Sequence, residues 1–130
     1  MLRDFISLFY PYNCPGCEVP MLKHEYVICT RCRVRLPFTD FHTDNENIVA
    51  KQFWGKAEIN AATSLLFFNK GSTVQNLLHK LKYTGHRQVG HELGKILGLQ
   101  LKEAEAFSNI DYVIPVPLHP KKQKKRGYNQ

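Results

Sequence analysis

The sequence lacks the features that assign a chain to a membrane-spanning or secreted class. No stretch approaches the ~20 consecutive apolar residues that cross a bilayer. The start, MLRDFISLFYPYNC, carries an acidic residue at Asp4 and has no small-residue cleavage site, unlike a secretory signal. No internal repeat is visible. We therefore predict a cytoplasmic protein that does not span a membrane.

Acidic residues are few. The chain has 11 Asp and Glu against 18 Lys and Arg, which gives a formal net charge of +7. Five cationic side chains lie between residues 121 and 126 and leave only +2 for the rest. A local cluster of this kind indicates one anion-binding surface rather than general affinity for nucleic acid or membranes. This cationic cluster consists of Lys121, Lys122, Lys124, Lys125 and Arg126.

Apolar residues are plentiful. The chain is 43% hydrophobic and has eight Phe and six Tyr, which suffices for a packed core and argues against general disorder. At the amino terminus Leu2, Phe5, Ile6 and Phe9 share one helical face. A short helix that packs on the next module is favoured over a membrane-surface helix, because its polar face carries little positive charge.

The four cysteines form two C-x2-C pairs, CPGC and CTRC, with eleven residues between the pairs. This spacing suits one tetrahedral metal ion, with the intervening EVPMLKHEYVI folding back as a short hairpin. Two disulfides would be reduced in the cytosol, and four unrelated core cysteines rarely fall in two such pairs. We predict a structural zinc ribbon, although thiolates also bind iron and cobalt. Its ligands are Cys14, Cys17, Cys29 and Cys32.

Four thiolates leave no open coordination position, so this site is expected to stabilise the fold rather than to catalyse. Polar residues then break any periodic pattern within 37–50. We predict a zinc ribbon with a preceding short helix at 1–37, a linker at 38–50 and a second domain at 51–130.

Periodicity predicts the elements of the second domain. Residues 65–68 are a compact apolar run that predicts a buried strand. Ser72 or Thr73 caps a helix with apolar residues at 74, 77, 78 and 81, which Gly85 closes, and a second helix carries apolar residues at 89, 93, 96, 97 and 101. Residues 111–117, DYVIPVP, predict another strand. Strand, helices and strand form a crossover unit, so the predicted fold class is α/β with a parallel sheet.

If 111–117 is a parallel strand, the cationic cluster lies at the edge of the sheet where ligands bind. A phosphorylated small molecule would use one or two cations and the backbone amides around Arg126 and Gly127. Single-stranded nucleic acid would use a groove of cations with aromatic faces from Tyr128 and Tyr83. A solvated loop is the third interpretation, and charge clustering alone does not decide among the three.

Three stretches of the sequence, in order, resemble the ComF family: CPGC…CTRC, LLHKLKYTGHRQVGHELGKIL and VIPVPLHPKKQKKRGYNQ. The likeness spans nearly the whole chain, and its most specific parts are LKYTG at 81–85 and the PVPLHP…KKRGYNQ ending. It implies an amino-terminal zinc ribbon followed by a partial Rossmann-like fold of the type I phosphoribosyltransferases. It also implies a competence protein that acts in DNA uptake and natural transformation.

The same resemblance implies ligands and partners. Phosphoribosyl pyrophosphate with Mg²⁺ would contact Lys82, Arg126 and Gly127. Single-stranded DNA would contact the four lysines of the cationic cluster and Tyr128, and a helicase is the implied protein partner. Lys82 has an equally weighted second interpretation as a solvated residue at a helix end. The alternative function is a non-enzymatic zinc-bearing adaptor or nucleic-acid-binding module.

The sequence departs from the family in one respect. Type I phosphoribosyltransferases hold the 5-phosphate with an acidic pair followed by a Thr-Thr-Gly loop, and this chain has no such stretch. The chain therefore resembles only the amino-terminal part of a ComF protein. We expect a fragment or a shortened product, and its status as an enzyme is left open. Two strands and two helices would also leave sheet edges unpaired, so we predict marginal stability or self-association.

Overall fold

The computed structural model describes residues 11–130, so the helical face predicted at residues 2–9 lies outside the described part of the chain. The described residues divide into two units. Residues 11–36 and 68–89 form the first unit, and residues 37–67 and 90–130 form the second. Both units are assembled from two separate stretches of sequence. The predicted boundaries at 37 and 50 assume sequential blocks and stay a prediction.

Regular structure in residues 11–130 is helical. The helices are α1 (Thr30–Val34), α2 (Ile48–Lys51), α3 (Thr73–Tyr83), α4 (Arg87–Glu103) and α5 (Pro120–Arg126). Short 3-10 helices span Phe41–Thr43 and Glu105–Phe107. The described residues contain two isolated antiparallel bridges, Asn13 with Pro20 and Phe38 with Leu66, and no longer strand.

Helix α3 confirms the periodicity argument. The Ser72 hydroxyl caps it by accepting a hydrogen bond from the Gln75 backbone N–H at 3.4 Å. Val74, Leu77 and Leu81 are buried on the face that the sequence predicts. The helix ends at Tyr83, and Gly85 follows in the left-handed region at φ 75°, where glycine carries no steric penalty.

Helix α4 is also confirmed. It runs for 17 residues, and Val89 near its start is 1% exposed in the first unit. The other apolar residues of its predicted face are half-buried, at positions 93, 96, 97 and 101. The helix is divided between the units, since Val89 belongs to the first and residues 90–103 to the second. A stripe of half-buried apolar residues is typical of a surface helix.

The buried strand predicted at residues 65–68 is wrong. Leu66 forms a single antiparallel bridge with Phe38, flanked by hydrogen bonds from Phe67 N–H to the Pro37 carbonyl at 2.9 Å and from Thr39 N–H to the Leu65 carbonyl at 3.2 Å. Pro37 has no N–H, so it cannot return the bond to Phe67 that would extend the ladder. The apolar run therefore forms one bridge. The Phe67 ring packs edge-on against the Phe41 ring, with 5.4 Å between the ring centroids.

The strand predicted at 111–117 is wrong as well. These residues have no regular secondary structure and no ladder partner within residues 11–130, and Tyr112, Val113, Ile114 and Val116 are all more than 80% exposed. Val and Ile give the segment the composition of a strand, yet a strand requires a neighbour that supplies hydrogen bonds. Without that pairing, the described residues contain no parallel crossover, and the predicted α/β Rossmann-like fold is not found in them.

The cationic cluster forms helix α5 rather than a loop. Pro120 occupies its first turn, and the His119 Nδ1 accepts a hydrogen bond from the Lys121 backbone N–H at 3.3 Å. At the other end Gly127 adopts φ 77° and donates its N–H to the Gln123 carbonyl at 2.7 Å. Asn129 then donates from Nδ2 to the Val116 carbonyl at 2.7 Å, which connects the residues after α5 to the segment 111–117.

Asn47 organises the amino-terminal stretch of the second unit. Its side chain is 3% exposed and makes five hydrogen bonds to the backbone. The Oδ1 atom accepts from two N–H groups of the first turn of α2, as an N-cap does. The Nδ2 group donates to three carbonyls, those of Phe41, Asp44 and Ala62. One amide therefore joins the 3-10 helix, the start of α2 and the segment near residue 62.

Candidate metal centre

Two short backbone turns position the four cysteines in the first unit. In the first turn, Cys14 N–H donates to the Val19 carbonyl at 2.9 Å and Glu18 N–H donates to the Cys14 carbonyl at 2.7 Å. Glu18 takes a left-handed conformation with φ 61°, which reverses the chain directly after Cys17. In the second turn, Cys29 caps α1, and its sulfur accepts from the Cys32 N–H at 3.4 Å. We call residues 14–18 the first knuckle and residues 29–32 the second knuckle.

Glu25 ties the segment between the knuckles to the start of α1. Its carboxylate accepts hydrogen bonds from the backbone N–H of Leu22 at 2.9 Å and of Thr30 at 2.6 Å. These two N–H groups hold the pKa of Glu25 below its ordinary value, because they stabilise the ionised form. The ionised side chain therefore holds this segment against the second knuckle.

The sulfur atoms of Cys14, Cys17, Cys29 and Cys32 all lie within 4.8 Å of one another. Cys17 is half-buried and the other three are buried. The Cys17 and Cys29 sulfurs are 3.7 Å apart, far longer than the ~2.05 Å of a disulfide bond. Zinc–sulfur bonds of ~2.3 Å in a tetrahedron place sulfurs about 3.8 Å apart. The cluster thus has the donor set and the spacing to hold one metal ion.

The electrostatics of the cluster also favour a cation. Burial raises the pKa of Cys14, but backbone N–H groups of Cys29, Cys17 and Gly16 that point at its sulfur outweigh burial and lower the pKa to about 7. Burial raises the pKa of Cys29 and of Cys32, and the neighbouring sulfurs add to the effect at Cys32. The Cys14 thiol therefore ionises readily, whereas burial disfavours ionisation of the Cys29 and Cys32 thiols. A bound cation would supply the positive charge that stabilises the thiolates.

Helix α3 lies against the first knuckle. Asn76 donates from Nδ2 to the Gly16 carbonyl at 2.9 Å, and the Lys80 ammonium forms an ion pair with Glu18 at 3.0 Å. A methyl group placed on Gly16 would lie 2.7 Å from Thr73 Cγ2 and 3.6 Å from Leu77 Cδ2. These four helix residues follow the i, i+3, i+4, i+7 spacing of one helical face. The metal centre is therefore built from the two knuckles and a helix some forty residues further along the chain.

The remaining predicted site residues lie elsewhere. The four lysines of the cationic cluster are exposed on α5, Arg126 is half-buried at its end, and Gly127 caps it. Tyr128 follows the cap and is half-buried. Lys82 lies in the last turn of α3, in the first unit, whereas Arg126 and Gly127 belong to the second. The joint pyrophosphate site of these three residues stays a prediction.

Sequence reasoning missed the residues that support the metal centre. Asn76 is a weak helix former in the middle of α3, and such a residue at a helix interior is a clue to a specific hydrogen bond. Glu25 gave no comparable clue, because an acidic residue in a hairpin is ordinary. For Thr73 the sequence suggests only a capping role as the alternative to Ser72, and its proximity to Gly16 depends on packing that spacing does not encode.

Comparisons with known proteins give no match: no protein-family model, no curated protein and no solved structure matches this chain. Within residues 11–130, no helix combines the length and the apolar character that crossing a bilayer requires.

Proposed function

We propose that this protein is a zinc-bearing module that binds the phosphates of single-stranded nucleic acid through helix α5. The observation that carries the proposal is the cationic cluster, which forms a capped helix instead of a loop. Consecutive helical residues are rotated by ~100°, so the five cations fall within an arc of roughly 200°. Pro120 and Gln123 occupy the remaining side of the helix. One broad face of α5 is therefore positively charged.

The spacing of these charges supports an anionic ligand. Lys121 and Lys125 are four residues apart, as are Lys122 and Arg126, and like charges at this spacing disfavour a helix. A seven-residue helix also has little intrinsic stability. Phosphates bound along this face would relieve the repulsion, and the four exposed lysines are free to follow a flexible backbone. Tyr112, which is 84% exposed in the same unit, offers an aromatic face for a base.

Zinc is the metal that fits the cluster best. Four thiolates in a tetrahedral arrangement are the usual ligands of structural zinc, and iron is the main competitor for such a site. A closed site of this kind contributes folding energy. Elemental analysis of the purified protein tests this assignment, and about one zinc per chain is the expected result. Replacing Cys32, the ligand on α1, with Ser should abolish stoichiometric binding.

Salt dependence tests the nucleic-acid role. For single strands the slope of log K against log salt is about −0.7 for each phosphate neutralised, so use of five cations predicts a slope near −3.5. The lysines of the cluster are replaced together by Gln, which keeps helix propensity: Lys121→Gln, Lys122→Gln, Lys124→Gln and Lys125→Gln. Fluorescence anisotropy with labelled oligo(dT) should then show a slope smaller by about 2.8.

A matched control removes the same charge elsewhere. Its four exposed lysines are scattered over both units and are likewise changed to Gln: Lys56, Lys70, Lys95 and Lys102. If α5 is the binding surface, this control keeps most of the affinity and the slope. Equal losses in the two variants would mean that net charge, and not this helix, attracts the DNA. An unchanged affinity in the cluster variant would reject the role of α5.

A second candidate is supported by the LKYTG and PVPLHP…KKRGYNQ motifs, which resemble the ComF family. In this candidate the protein serves DNA uptake with a helicase partner and binds phosphoribosyl pyrophosphate with Mg²⁺ through Lys82, Arg126 and Gly127. The test is thermal stabilisation that requires both Mg²⁺ and phosphoribosyl pyrophosphate, with ribose 5-phosphate as the control. Lys82→Gln should remove it. Equal stabilisation by ribose 5-phosphate would count against pyrophosphate recognition.

A further inference from the structure

The contact between α3 and the first knuckle is made of direct interactions on one helical face. The Asn76 amide and the Lys80 ammonium bind polar groups of the knuckle, at 2.9 Å and 3.0 Å respectively. The Thr73 and Leu77 side chains close over Gly16, which is buried between them and the Cys32 sulfur. Of these four residues, Asn76 is the one whose side chain donates a hydrogen bond to the backbone between Cys14 and Cys17.

The peptide that Asn76 contacts leads directly to a ligand. The Gly16 carbonyl and the Cys17 N–H belong to the same peptide group, and in a planar trans peptide these two bonds point in opposite directions. The carbonyl accepts from Asn76, so the Cys17 N–H points away from this bond, and the same N–H is among the backbone groups that lower the pKa of Cys14. A hydrogen bond at the carbonyl polarises the peptide and strengthens its N–H as a donor. A Cys17 N–H directed at the Cys14 sulfur completes a chain of two hydrogen bonds that leads from Asn76 through this peptide to the sulfur.

We propose that Asn76 is a positioning residue of the metal centre, which fixes the Gly16–Cys17 peptide so that its N–H faces the Cys14 thiolate. This inference rests on the metal-binding part of the proposed function. Residues outside the ligand set that orient ligands typically change metal affinity by 10- to 100-fold when they are replaced. The coupling is reciprocal: metal binding orders the knuckle, and the ordered knuckle stabilises α3.

The test compares Asn76→Asp with Asn60→Asp in the full chain. Asp has the shape of Asn but no donor for the Gly16 carbonyl. Asn60 is exposed and belongs to the second unit, so Asn60→Asp controls for the added charge. Zinc affinity is measured by competition with a chromogenic chelator. We expect a 10- to 100-fold loss for Asn76→Asp and less than a twofold change for Asn60→Asp. Equal affinities in the two variants would overturn the proposal.

A spectroscopic readout separates positioning from general stability. In zinc-loaded protein the amide proton of Cys17 should exchange slowly with solvent and resonate downfield, as an N–H bonded to sulfur does. Asn76→Ala, which adds no charge, should shift this resonance upfield and speed the exchange of the amide proton. The far-UV circular dichroism spectrum should remain that of the folded protein at saturating zinc. An unshifted Cys17 amide in Asn76→Ala contradicts the proposal.

The wild-type measurement keeps the proposal open to refutation even if both variants fail to fold. A Cys17 amide that exchanges rapidly in the zinc-loaded wild type would mean that the chain of hydrogen bonds is absent. The failure of the proposed function looks different, because in that case the wild type itself binds no stoichiometric zinc. Bound zinc together with a protected Cys17 amide that depends on Asn76 is the result that supports both.

Discussion

Gly16 offers the sharpest test of how closely α3 packs on the metal centre. A Cβ atom added there would lie 2.7 Å from Thr73 Cγ2 and 3.3 Å from the Cys32 sulfur. Real Cβ contacts are longer than 3.0 Å, so one of these neighbours must move. Cys32 cannot yield without disturbing the metal ligands, and Thr73 is β-branched with few alternative rotamers. The strain must therefore spread into the backbone of the knuckle or of α3.

The expected cost of Gly16→Ala is that of overpacking a filled site, about 1–3 kcal/mol. This corresponds to a loss of about 5- to 160-fold in the folding equilibrium constant. The assay is urea unfolding followed by far-UV circular dichroism at a buffered concentration of free zinc. Gly94→Ala is the control, because Gly94 has open space around its Cα in α4 and the change should stabilise by roughly 0.5–1 kcal/mol.

A compensating substitution makes the steric argument refutable. Thr73→Ser removes only the Cγ2 atom that the new methyl group would strike, and alone it should cost about 0.5–1.5 kcal/mol, as the loss of one buried methyl does. The double variant should be more stable than the sum of the single effects predicts, by about 1 kcal/mol or more. Strict additivity would show that the methyl group added by Gly16→Ala and the Thr73 Cγ2 atom do not compete for the same space.

Two further expectations concern polar side chains. Asn47→Asp keeps the acceptor that caps α2 but removes the donor for three carbonyls. It should lower the free energy of unfolding, measured with urea, by about 2–4 kcal/mol. A loss below about 0.5 kcal/mol would contradict the role of the Nδ2 group. Glu25→Gln should lower the unfolding midpoint, because a carboxylate with a lowered pKa contributes stability above its ordinary pKa of 4.5 and loses it as the pH falls through the lowered value. The difference from wild type should therefore stay constant from about pH 7.5 down to about pH 5.5, and a difference that shrinks within that range would contradict the lowered pKa.

The features that were predictable from sequence are local ones. The two C-x2-C pairs predict the cluster of four cysteines, because each pair needs only one tight turn to bring two sulfurs together. Helices α3 and α4 follow from apolar spacing and from the cap at Ser72. Helix α5 had its own signals, a proline in the first turn and a glycine after the last, but the absence of apolar periodicity concealed them.

The features that could not be predicted depend on pairing across the chain. Residues 65–68 and 111–117 have the composition of strands, but only the structure reveals that the first pairs once with Phe38 and that the second has no partner within residues 11–130. The bond between Asn76 and Gly16 joins residues 60 positions apart, which no local pattern encodes. The sequence thus predicted which four cysteines come together and missed the residues that support them.

The order in which the chain is synthesised gives the discontinuous first unit a temporal consequence. All four cysteines are translated before α3, and at about 5–20 residues per second the ribosome needs roughly 3–12 s to travel from Gly16 to Asn76. During that interval a nascent chain has a complete set of thiols but lacks the helix that clamps the first knuckle. Metal capture at this stage would meet a looser and more accessible site than the finished protein offers. The newborn chain is therefore the form most exposed to oxidation and to competing metals.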